Sequence, residues 1–152
     1  MSRPQSLREV SSVVTAGTKP FGYAIDEFLD TFYLDHPDRL RQQRQIDDAP
    51  EIVGDAFIDS WIGAVGEHLA RRWNLVVPAW TRRPAHYALS LPRFIPDSKA
   101  LRRTLLVESP PAFRSRLLFT FVEPLQRARF PRDVKRIELS AANRSARTFV
   151  VR

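Results

Sequence analysis

The residues best equipped for chemistry in this chain are arginines. Arg102, Arg103, Arg114, Arg116, Arg127, Arg129, Arg132 and Arg136 crowd one region that also supplies Phe113, Phe119, Phe121 and Phe130. A guanidinium holds phosphate or carboxylate oxygens in a bidentate fork, and neighbouring rings stack on bases or anchor in a partner's pocket. The pattern therefore fits protein docking and nucleic-acid binding alike. Within a helix, Arg114 and Arg116 point about 200° apart. One of them must flank the core and pair with a carboxylate, either Glu108 or one on the acidic helix described below. At least half of these arginines are expected to be structural. The residues singled out for binding a partner or an anion are Arg102, Arg103, Phe113, Arg114, Arg116, Arg127 and Arg129.

Other chemistries find little support. His36, His68 and His86 are far apart and form no HxxxH-type pair, and His68, between Glu67 and Arg72, reads as part of a polar helix face. Cysteine is absent, which removes thiolate nucleophiles, disulfides and sulfur-ligated zinc. There is no GxGxxG, Walker or GxSxG motif, so no catalytic residue, metal site or cofactor is expected. Glu51, Asp55 and Asp59 stand at i+4 steps, which places three carboxylates on one helix face. Such a face is solvated, or docks on the chain's own basic half or on a basic partner; a carboxylate-based magnesium or catalytic site is the remote alternative.

The elements that must position these groups belong to one domain of 152 residues, 43% hydrophobic, with twelve prolines and five glycines. Residues 1–80 hold 8 Lys/Arg against 12 Asp/Glu, and residues 81–152 hold 16 against 5. The basic half binds an anionic surface or attracts the acidic half across one fold. Only three of the 24 basic residues are lysines, which favours bidentate contacts, although a GC-rich genome gives the same bias. No run has the roughly 18 apolar residues of a spanning helix, and the first residues lack a signal-like apolar core, so a cytoplasmic protein without membrane contact is expected.

The fold class expected is mainly α: a single compact domain of several helices with a proline-rich crossing segment and room for a small C-terminal β-hairpin. Residues 1–19 read as a flexible arm, 20–134 as the helical core, and 135–152 as a basic tail or hairpin. Phe21, Ile25, Phe28, Leu29 and Phe32 predict a helix of roughly 14 residues ending near Leu34. A short exposed helix follows, with Pro37 suited to its first turn. Asp48 and Glu51 resemble a capping box for the long helix carrying Phe57, Trp61, Val65 and Leu69. Prolines 78, 84, 92 and 96 make the next stretch a crossing segment, pinned by Trp80, Tyr87, Leu91 and Phe94. A helix capped by Asp97 or Ser98 then runs to Pro110–Pro111, where a corner starts another, and 121–130 offers one more.

FLDTFY (28–33), VPAWT (77–81), VESPPAFRSRLLF (107–119) and PLQRAR (124–129) together resemble a family of short, poorly characterised bacterial proteins with a (V/L)ESPxxFRxRxxF core. The resemblance covers most of residues 24–129; the arm before residue 20 and the tail after Phe130 lie outside it. Members are similar to proteins encoded beside nucleotidyltransferase-like or helix-turn-helix partners, as in toxin–antitoxin modules. It implies an antitoxin-like, non-enzymatic role in binding a bacterial protein such as a nucleotidyltransferase-like toxin. A nucleic-acid-binding regulator using the basic half is the alternative.

Overall fold

The computed structural model describes residues 3–131. Among them the chain is mainly α, with six α-helices and a single two-stranded parallel sheet. The expected C-terminal tail or hairpin lies outside the described residues.

Residues 1–19 correct one expectation. Instead of an arm, Leu7–Thr15 form helix α1, capped by the Ser6 side chain, which accepts from the Glu9 backbone N–H. Leu7 and Val10 are fully buried, and the Ser11 hydroxyl accepts from Glu51 N at 2.9 Å, tying α1 to the start of the next layer. Helix α2, Phe21–Leu34, has the predicted bounds and buries Ala24, Ile25, Phe28, Leu29, Phe32 and Tyr33. Helix α3, Arg39–Asp47, starts after Pro37 with Asp38 as its cap. It is not wholly exposed: Ile46 is core, and Gln42 donates to the Phe32 carbonyl at 3.0 Å.

The long helix α4 runs Ala56–Arg72, later than the Asp48–Glu51 pattern suggested. Its cap is Asp55, which accepts from Phe57 N and Ile58 N. Asp59 is buried and accepts from Val53 N at 2.9 Å and Gly54 N at 3.0 Å. The three acidic residues therefore do not make a solvated stripe: Glu51 precedes the helix, Asp55 caps it, and Asp59 clamps the loop that enters it.

The proline-rich segment crosses α4 as two 3-10 turns, Ala79–Arg82 and Pro84–Tyr87. Trp80 is buried and its indole N–H donates to the Ile46 carbonyl at 2.8 Å, whereas Leu91 is 75% exposed and pins nothing. Strand β1, Arg93–Phe94, pairs in parallel with β2, Leu118–Phe119. Between them a 3-10 turn, Lys99–Leu101, leads into α5, Arg102–Glu108, and the double proline turns the chain into α6, Pro111–Arg114. Residues 121–130 are irregular instead of helical; Leu125 is buried and Tyr33 donates to its carbonyl at 2.7 Å.

Candidate functional site

The second arginine of FRSR is the polar centre of the fold. Arg116 is 1% exposed. Its Nε donates to the His86 carbonyl at 2.9 Å, one terminal nitrogen to Glu67 at 2.9 Å and the Ala112 carbonyl at 2.7 Å, and the other to the Thr81 carbonyl at 2.7 Å. The guanidinium also lies 4.1 Å from the Tyr87 ring centre. Burial acts to raise the Glu67 carboxyl, but hydrogen bonds from Arg71 and Arg116 outweigh it and hold the group below the usual carboxylate range. One cation thus joins α4, the crossing segment and α6, and its flat fork suits four separated acceptors as an ammonium would not.

This convergence depends on small residues. A side chain on Gly63 would place Cβ 2.7 Å from His86 Cβ and 2.9 Å from Arg116 Nε; on Gly66 it would meet Trp80 at 2.7 Å. The crossing segment therefore rests directly on the α4 backbone, and α4 buries every residue from Ile62 to Ala70. His68 lies within that stretch, edge-on to Phe113 at 5.5 Å, not on a polar face. Burial pushes its imidazole down to about 4. His86 is fully buried, and neither ring nitrogen has a hydrogen-bond partner. Burial and the Arg83 charge lower it too.

The remaining sequence candidates separate into four groups. Phe113 is wholly buried, edge-on to Trp61 at 4.9 Å, so it is core and not an anchor for a partner. Arg114 closes the proline corner: it donates to the carbonyls of Val107 at 3.2 Å and Ser109 at 2.7 Å, satisfying acceptors at the end of α5. Arg127 holds both oxygens of Asp30 at 3.0 Å and reaches Asp26 at 3.4 Å, which keeps the Asp30 carboxyl below its ordinary range. Arg102, Arg103 and Arg129 are exposed. Arg114 and Arg116 are both binding candidates by sequence, with one expected to turn toward the core; the structure turns Arg116 inward and sets Arg114 on the proline corner.

No family model, curated protein or solved structure matches the chain.

An accessible surface is left around α5. Leu106 and Val107 are 47% and 78% exposed on its last turn, beside the exposed Arg102 and Arg103. Phe121 and Val122, also exposed, are held at that turn because Glu108 accepts from Val122 N at 3.3 Å and Ser109 accepts from Thr120 N at 2.8 Å. Arg102 lies 5.1 Å from the Phe94 ring and 3.9 Å from the exposed Asp97 carboxylate. Among the described residues no group of three His, Asp or Glu could hold a metal ion, and no helix is long and apolar enough to cross a membrane.

Proposed function

We propose that this chain is a cytoplasmic, non-enzymatic protein-binding module of antitoxin-like character, neutralising a bacterial partner encoded nearby by covering its substrate or nucleotide site. The supporting observation is the α5 face: Leu106, Val107, Phe121 and Val122 are exposed together beside Arg102 and Arg103. Four large apolar groups in water, flanked by arginines, have the composition of an interface core with a charged rim. They suit an apolar groove with acidic edges. A nucleotidyltransferase-like toxin is the partner class that the VESPPAFRSRLLF resemblance suggests. Co-expression with the product of the adjacent gene tests this reading. A stoichiometric complex that Val107→Asp and Arg103→Glu each disrupt, with unchanged thermal midpoints, supports it; failure of the native chain to co-purify with that product rejects it.

A second reading, a nucleic-acid-binding regulator, draws on Lys99 and Arg103, which are exposed and form no ion pair among the described residues, and on the exposed Arg129. Phosphate binding by these groups would weaken steeply with salt. A flat response of oligonucleotide affinity to salt removes this alternative.

A further inference from the structure

A different cationic feature lies in the half of the chain that is acidic overall. An open cleft of about 490 Å³ is lined by Arg3, Arg41 and Arg44 together with Asp35, Gln45 and Leu34. It sits where the first described residues meet the last turn of α2 and the exposed side of α3. Three guanidiniums face one carboxylate, and that carboxylate is already engaged: Asp35 accepts from Arg41 at 3.5 Å and from Gln45 Nε2 at 2.5 Å. Arg41 reaches Asp38 only at 3.9 Å. Arg3 and Arg44 form no ion pair among the described residues. The Asp30 carboxylate also feels the Arg3 charge, but Arg127 grips both of its oxygens.

Like charges gathered around a concavity repel one another unless an anion enters. The cleft's volume falls in the range of about 300–1,000 Å³ typical of small-molecule sites, and guanidiniums match phosphate oxygens in geometry as well as charge. Leu34, 60% exposed, supplies an apolar wall. The carbonyl end of α2 lies at Leu34, and its partial negative charge repels phosphate, leaving that side for an uncharged ring.

We propose that this cleft binds a phosphate ester of mononucleotide size, its phosphate oxygens held by Arg3, Arg41 and Arg44 and its organic part laid on Leu34. The same chemistry is offered by a free nucleotide and by the phosphorylated end of a nucleic-acid strand. The site is remote from α5, so its variants test it separately from partner binding.

The test is calorimetric titration of the full chain with ATP, and with inorganic pyrophosphate, at about 50 mM salt. ATP is expected to bind one to one and more tightly than pyrophosphate. Arg3→Gln and Arg44→Gln should each weaken it about tenfold, and the double variant should abolish it. Arg103→Gln should leave it unchanged, and all variants should melt as the native chain does. Displacement of ATP by a 5′-phosphorylated trinucleotide, but not by its 5′-hydroxyl counterpart, assigns the site to strand ends; displacement by neither assigns it to free nucleotides. No binding of ATP or pyrophosphate, insensitivity to Arg3→Gln and Arg44→Gln, equal loss with Arg103→Gln, or equal displacement by both trinucleotides overturns the proposal.

Discussion

The Arg116 guanidinium lies 2.9 Å from the Glu67 carboxylate, beneath two 3-10 turns and against a glycine-flattened stretch of α4. Each partner's worth depends on the other being present.

Arg116→Met should destabilise the chain by about 3 kcal/mol, because the Glu67 carboxylate is left with Arg71 and a long contact to Tyr87, and the His86 and Thr81 carbonyls lose their guanidinium donor. Arg116→Lys should recover little of this, since an ammonium offers three donors from one point and cannot lie flat on Tyr87. Urea unfolding of Arg116→Met, Glu67→Gln and the double variant completes a double-mutant cycle. A coupling near zero would mean that the pair contributes no more than its separate desolvation costs.

Glycine-to-alanine changes should have opposite signs along the chain. At Gly22 nothing lies within 4 Å of a new Cβ, so alanine should stabilise α2 by up to about 1 kcal/mol. At Gly63 the same change drives Cβ into His86 and Arg116, and the helix-propensity gain should be overwhelmed by a loss of about 1–3 kcal/mol. Thermal midpoints of the two variants, moving in opposite directions, check this.

Acid should weaken the fold before the carboxylates titrate. His68 has a folded pKa of about 4 against 6.5 in the open chain, so between these values the unfolded state binds more protons. The stability this neutral imidazole maintains is complete above pH 6.5 and is lost as pH falls toward 4, on the order of 3 kcal/mol. His86 shifts in the same direction. His68→Leu should therefore flatten the fall without abolishing it, as read from denaturation midpoints between pH 7 and 4. An unchanged slope would contradict the burial argument.

Asp59→Ala should cost more than Asp55→Ala, although both precede or begin the same helix. Asp55 supplies an exposed cap, worth about 1 kcal/mol. Asp59 is 3% exposed, and removing it takes the carboxylate from the half-buried Val53 N–H and the exposed Gly54 N–H and empties a buried position, together about 1–3 kcal/mol. Chemical denaturation of the two variants ranks them; equal losses would show that water reaches the loop.

Much of the helical frame was legible because its apolar residues recur at fixed steps. Phe21–Leu34 shows this: the spacing of five apolar side chains fixed both ends. Helix α1 leaves little trace because Leu7 and Val10 anchor it among small polar residues, and it packs on α2 and α3, which no local window contains. The stretch 121–130 looked helical by composition, yet Leu125 and Arg127 answer to Tyr33 and Asp30, partners no local window contains. Helix geometry requires one of Arg114 and Arg116 to turn inward, yet nothing local marks Glu67, 49 residues away, as the acceptor. His68 is hidden for a related reason: its neighbours Glu67 and Arg72 look polar, while Phe113 of α6 packs on a ring that a lone helix would expose. The cleft at Arg3, Arg41 and Arg44 left no mark in a half whose net charge is negative.

The bonds from Tyr33 to the Leu125 carbonyl and from Arg127 to Asp30 span 92 and 97 residues. During synthesis at roughly 5–20 residues per second, α2 therefore emerges on the order of ten seconds before the groups that complete it. Throughout that interval its phenol and carboxylates face water or whatever chaperone is at hand. Closing so long a loop also gives this contact a heavy entropic cost, one that rewards the chain only after the helices have met. Final closure of the fold is thus tied to the end of translation of this region.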